Sequence, residues 1–258
     1  MVLSQSLREE IKDLLIEKFK KKIETYDFSK TSGNPFIDIP FGKYSALKSF
    51  VHSTATMLGS VYEVIAKKIA EKNPEFVEVK KFAYEGMISS EEKAVIADIV
   101  KDLEEKKVGS DYEKEIKEVY SADDRNIKAT RITIDLYLKT KSGKEYFVEI
   151  KGPDPNKKEV RAAKIDLLNV IAMKKRKIPL DQFDKKVGIV FGVYYNNTKG
   201  EYKNWKVSPI FRYKKGLLVQ EDFWDFIGGN GTYNELREII SEVGQVVTPL
   251  LSKKLKEN

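Results

Sequence analysis

At Arg131 the hydrophobic period of this chain changes from helical to alternating, and no other feature constrains the fold as strongly. From Arg131 to Lys139, Ile132, Ile134, Leu136 and Leu138 fall on one face of an extended segment, and from Glu145 to Lys151, Tyr146, Val148 and Ile150 do the same. Lys141-Ser142-Gly143 between them is a hairpin turn, with glycine where a left-handed backbone is wanted. Pro153 and Pro155 end the second segment. Val160, Ala163, Leu167, Leu168 and Ile171 then predict a helix from Lys157 to Arg176, and Val187 to Tyr195 is a nearly continuous apolar run, as in a strand buried on both faces. A strand, a crossover helix and a second buried strand imply parallel pairing. The expected fold class is therefore α/β, a central mixed β-sheet flanked by helices.

The flanking segments read as helical. Ser6 and Glu9 form a capping box for a helix running to Tyr26, and Ser32 to Tyr44, with Gly33, Pro35, Pro40 and Gly42, reads as a loop. A second helix runs from Ser45 to Glu71 with Leu47, Val51, Leu58, Tyr62, Ile65 and Ile69 as its stripe, until Pro74 stops it. Ser89 and Glu92 cap a third to Lys107, and a short charged helix spans Asp111 to Tyr120. The aromatic residues Phe223, Trp224 and Phe226 precede the turn Gly228-Gly229-Asn230-Gly231 and a helix from Thr232 to Val243. The expected organisation is one domain over residues 1–258: a mainly helical part at 1–125, the sheet core at 126–215 and a helical part at 216–258.

Two absences narrow the chemistry. The 258 residues include no cysteine, which excludes disulfides, zinc-thiolate and iron-sulfur sites and cysteine nucleophiles. His52 is the only histidine, so a multi-histidine metal site is excluded and hydrolytic chemistry must rest on carboxylates, lysines and hard cations. A net charge of +7 favours a polyanionic partner. The polar N-terminus and the lack of any apolar run long enough to span a bilayer lead to the expectation of a soluble, cytoplasmic protein with no membrane partner and no organic cofactor.

If the hairpin closes symmetrically about Ser142, Asp135 stands opposite Glu149 with Cβ atoms roughly 5 Å apart, and Lys151 shares their face. Opposed like charges destabilise a sheet, and a hard cation between them removes the repulsion; magnesium typically takes one or two carboxylates and keeps several waters. That arrangement suits phosphodiester hydrolysis, with Lys151 positioning the attacking water and offsetting the developing negative charge. A solvated sheet face decorated with charges is the plainer account of any one of these residues, and it fits the trio in this register less well.

Asp135, thirteen intervening residues and then Glu149-Ile150-Lys151 resemble the catalytic hairpin of the PD-(D/E)-x-K nuclease superfamily, with Ile134 where the motif has proline. Glu149 to Lys157, His52-Ser53-Thr54 with Gly59-Ser60-Val61-Tyr62-Glu63, and Phe223 to Gly229 with Gly231-Thr232-Tyr233 resemble the TdeIII-type Type II restriction endonucleases. This resemblance implies a restriction-endonuclease-like core with helical N-terminal additions and a homodimer cutting double-stranded DNA inside a short palindrome of the form GGNCC. It also implies Mg2+ held by Asp135, Glu149 and Ile150, and a glutamate from an N-terminal helix, Glu63, joining the site. Against that role, Glu63 is also spaced to pair with Lys67 on the helix surface.

Asn156 and Lys157 read either as the start of the next helix or as a DNA contact near the metal. Base reading is assigned to Asn196, Asn197, Lys199, Lys203 and Lys206, in a segment of amide, cationic and aromatic side chains just beyond a buried strand, with a solvated loop as the alternative. Lys174-Lys175-Arg176-Lys177 reads as a phosphate contact or a dipole-favoured helix end. His52 is expected to be buried or hydrogen-bonded rather than catalytic. The competing functions are a repair or recombination nuclease on the same scaffold and a DNA-binding protein without catalysis.

Overall fold

The computed structural model describes residues 2–30, 33–196, 202 and 205–257. In chain order its elements are α1 (Gln5–Thr25), α2 (Pro35–Phe41), α3 (Ser45–Lys72), β1 (Phe76–Ser89), α4 (Ser90–Glu104), α5 (Tyr112–Ser121), β2 (Ile127–Thr140), β3 (Glu145–Lys151), α6 (Lys157–Lys175), α7 (Phe183–Lys186), β4 (Val187–Val193), β5 (Arg212–Tyr213), β6 (Gly216–Val219), α8 (Glu221–Gly228) and α9 (Thr232–Glu257). They fall into two compact units, Met1–Ile69 with Gly228–Asn258, and Ala70–Ile227.

In the first unit α1 packs against α9, burying Leu7, Ile11 and Leu15 with Leu236, Ile239 and Val243. Arg8 ties the pair to Glu235 and Glu238, both at 3.2 Å. The cap of α1 is Ser4, which accepts the Leu7 N–H at 3.3 Å, two residues earlier than the expected Ser6. The expected loop at 32–44 contains α2 instead. Asn34 caps it, accepting the Phe36 N–H at 3.0 Å, and Pro35 takes the first helical position, where a missing N–H costs nothing. The stripe of α3 also differs from expectation. Phe50 is buried against Ile23 and Phe28, with the Phe28 and Phe50 ring centroids 5.0 Å apart, so the buried series runs Phe50, Thr54, Val61, Ile65 and Ile69 while Val51 is left 59% exposed.

The second unit holds a six-stranded mixed sheet in the order β1-β2-β3-β4-β6-β5. The pairings β1–β2 and β2–β3 are antiparallel; β3–β4, β4–β6 and β5–β6 are parallel. Hairpin closure is as expected, with Leu136 opposite Val148 and Leu138 opposite Tyr146, and Gly143 at φ 84° in the turn. The sheet reaches beyond 126–215, since β1 precedes that range and β6 follows it. Sequence periodicity gave no sign of β1, because Lys80, Lys81 and Glu85 interrupt its alternation. Those charges are tolerated because β1 is an edge strand.

Both faces of the central strands are covered. Phe147, Ile189, Phe191 and Val193 pack in one cluster with Val160, Leu167, Val170 and Ile171 of α6. On the opposite face Phe226 meets Tyr146 with ring centroids 5.0 Å apart. Phe223 lies where a Cβ on Gly192 would sit, 2.3 Å away, so α8 can dock only over glycine. Three cations of the basic run at the end of α6 are spent internally. Lys174 reaches Glu145 at 2.5 Å, Lys175 reaches Glu92 at 2.8 Å, and Arg176 holds both Glu92 oxygens at 2.9 and 2.8 Å. These three cations tie α6 to its neighbours, while Lys177, the fourth of the run, is exposed. Among the described residues no helix is long and apolar enough to cross a membrane.

Candidate active site

One irregularity of the sheet builds the site. β1 and β2 keep one register at Val79–Leu138 and Lys80–Tyr137 and another from Phe82–Ile134 onward, so Lys81 faces both Asp135 and Leu136 across a β-bulge. The extra residue reverses the alternation of β2. Ile132 and Ile134 therefore join the cluster of Tyr137 and Phe147, whereas strict alternation puts Ile134 and Tyr137 on opposite faces. The paired register of the hairpin ends at Leu136–Val148, one step short of Asp135 and Glu149. Beyond it the Asp135 side chain replaces the ladder, its Oδ2 accepting the Ile150 N–H at 3.0 Å.

Lys151 closes the trio. Its Nζ donates to Asp135 Oδ2 at 3.1 Å and to Glu149 Oε2 at 3.0 Å, and Lys81 Nζ lies 3.7 Å from Asp135 Oδ1. Glu149 is only 6% exposed. Burial, followed by the charge of Asp135, pushes its carboxyl up to about 7, against the pull of Lys151. Burial opposes the charge of Lys151 as well, but Glu149 and Asp135 outweigh it and raise the ammonium above its usual range. One ammonium is shared by two carboxylates with a second, Lys81, beside Asp135, and burial first and Asp135 second account for the raised Glu149. The face is therefore not the solvated, decorated surface of the plainer account.

The donor set suits a hard divalent cation: two carboxylates, with no sulfur and no imidazole. Among the described residues no three Asp, Glu or His side chains group closely enough to hold a metal.

Glu63 is partly buried on α3 in the first unit, and His52, expected to be buried or hydrogen-bonded, has an exposed side chain on the same helix. Asn156 caps α6, accepting the Glu159 N–H at 3.0 Å, while Glu159 accepts the Asn156 N–H at 2.7 Å. Lys157 is exposed and, with Lys106, Trp205 and Lys206, lines a cavity of about 500 Å3. Lys206 pairs with Asp154 at 2.7 Å. Asn196 is 4% exposed and donates its amide to the Pro153 carbonyl at 3.0 Å. Asn197, Lys199 and Lys203 lie outside the described residues.

Two residues near the trio escaped the sequence reading. Lys81 carried no signal because β1 itself was illegible. Asp166 did carry one, as an acid beside Leu167 in the apolar stripe of α6; it is partly buried, and burial raises its carboxyl above the usual range.

A mixed sheet flanked by helices, with two carboxylates and a lysine gathered at the end of its antiparallel hairpin, defines a restriction-endonuclease-like α/β fold. The chain matches the family described as Type II restriction endonuclease, HinfI over residues 3–244, and it belongs to that family. It is 25% identical over 213 residues to the Type II restriction enzyme HgiEI of Herpetosiphon aurantiacus, covering 81% of this chain and 76% of the relative. To HgiBI of the same organism it is 24% identical over 213 residues, with the same 81% and 76% coverage. To HgiCII, also from Herpetosiphon aurantiacus, it is 30% identical over 128 residues, covering 48% of this chain and 44% of the relative. The resemblance to Type II restriction endonucleases is thus met, within a family described by HinfI rather than by TdeIII. Membership makes the protein an endonuclease of restriction systems with DNA as its substrate, in preference to a repair nuclease or a non-catalytic binder.

Proposed function

We propose that this protein is a magnesium-dependent Type II endonuclease of the PD-(D/E)-x-K kind, with Asp135, Glu149 and Lys151 as its catalytic residues. The observation that carries this reading is the Lys151 ammonium held between the two carboxylates at 3.1 and 3.0 Å. Asp135, Glu149 and the Ile150 main chain would hold the cation. The cation, when bound, supplies charge neutralisation at the scissile phosphate and lowers the pKa of water. Lys151, kept charged and oriented by its two partners, stands beside the phosphate, positions the attacking water and offsets the negative charge that develops. The product ends carry 5′-phosphates.

Both units act in this reading as one endonuclease domain, and two copies serve the two strands of a palindrome of the form GGNCC. DNA contacts come from Lys157, Lys206 and the segment 196–203, with Asn196, Asn197, Lys199 and Lys203. The test is digestion of a mapped plasmid with magnesium or with chelator. Discrete, magnesium-dependent fragments whose sequenced ends share one short palindrome support the reading. A smear without common ends, or cleavage unaffected by chelator, contradicts it.

A further inference from the structure

We propose that Asp166 is a third acidic group of this site, a positioning residue that accepts hydrogen bonds from the water shell of the cation held by Asp135 and Glu149. The inference rests on the reading of those two residues as the cation's holders. It begins with helix register. The parallel pairing of β3 with β4 makes α6 a crossover that runs back along the sheet. Its register on β3 is fixed where Lys174 Nζ meets Glu145 Oε2 at 2.5 Å and lies 5.3 Å from the Phe147 ring centroid. Asp166 precedes Lys174 by eight residues, about 12 Å along the helix. Glu149 follows Glu145 by four residues, about 13 Å along the strand. The acid of the helix and the acid of the strand are therefore level.

They also face one another. Residues eight apart share a helical stripe, and Lys174 already points at β3. The neighbours of Asp166 on that stripe, Ala163, Leu167 and Val170, are buried in the cluster that contains Phe147, whose side of β3 carries Glu149 and Lys151. The charges that act most strongly on Asp166 are Lys151 and then Asp135, and Asp166 acts in turn on Glu149. Among the described residues Asp166 makes no hydrogen bond and no ion pair. A partly buried carboxylate with no partner among the described residues costs stability through its burial, and asparagine would fill the same space without that cost. Its acceptor oxygens do fit a role toward water. A hard cation on two carboxylates keeps several waters, and outer carboxylates that bond such waters typically contribute about 10- to 100-fold in metal affinity.

The experiment is Mn2+ binding by the full-length protein, counted by electron paramagnetic resonance, for wild type, Asp166→Asn, Asp166→Glu and Asp135→Asn, with melting curves for each. Asp166→Asn is expected to weaken Mn2+ binding about 10- to 100-fold without lowering the melting temperature, and Asp166→Glu to stay within a few-fold of wild type. Wild-type affinity in Asp166→Asn, while Asp135→Asn has lost it, overturns the role of Asp166 alone. Wild-type affinity in Asp135→Asn overturns the underlying site. Equal weakening in Asp166→Asn and Asp166→Glu with lowered melting temperatures marks a packing role and overturns the proposal.

Discussion

Glu92 is fully buried, and its contacts decide its chemistry. Burial alone would raise its carboxyl, but Arg176, Lys175 and the Ser89 N–H outweigh burial and hold it below the ordinary glutamate value. A depressed carboxyl stabilises the fold above the ordinary value of 4.5, and that contribution is lost as pH falls through the lower folded value. Melting temperature should therefore fall with pH in that acid window. Glu92→Gln should flatten this dependence and cost about 3–5 kcal/mol near neutrality, because Lys175 and Arg176 lose their partner. Unchanged acid dependence in the variant would remove Glu92 from the account. A buried pair raises the same issue at Lys164, whose ammonium meets Glu115 at 2.5 Å and is pushed down by burial. Glu115→Gln should destabilise by about 3–5 kcal/mol in urea unfolding, and a loss within a few tenths would contradict that.

At the scale of elements, β3, α6 and β4 were legible because each carries one unbroken period, and the hairpin register followed from the short turn at Gly143. The trio was legible for the same reason: Asp135, Glu149 and Lys151 depend on that register. β1 was not, since its charges break the alternation, and without β1 neither Lys81 nor the bulge at Asp135 is foreseeable. α2 was hidden by Pro35, a residue that reads as a loop marker and also starts helices. Asn156 shows a residue type with two readings, of which the capping box is the one present. Asn156→Ala should therefore cost about 1 kcal/mol in thermal or urea unfolding and leave cleavage of plasmid DNA near wild type. Unchanged stability with lost cleavage would return Asn156 to the DNA contact. At Gly192, alanine would strike the Phe223 ring and should cost about 1–3 kcal/mol by the same measurement.

For the whole molecule, the net charge of +7 is a poor guide to where DNA lies, because Lys174, Lys175 and Arg176 are bound to internal acids. Among the described residues Lys81 lies 3.7 Å from Asp135 and Lys151 holds both acids, so this end of the hairpin sets cations among acids. The family assigns an endonuclease, whose chemistry is proposed to rest on Asp135, Glu149 and Lys151. Its most direct test is plasmid cleavage by wild type, Asp135→Ala and Lys151→Ala, with duplex binding of each protein measured in calcium. The account predicts that both variants bind the duplex while cleavage falls at least about 100-fold. Cleavage at the wild-type rate by either variant would contradict it.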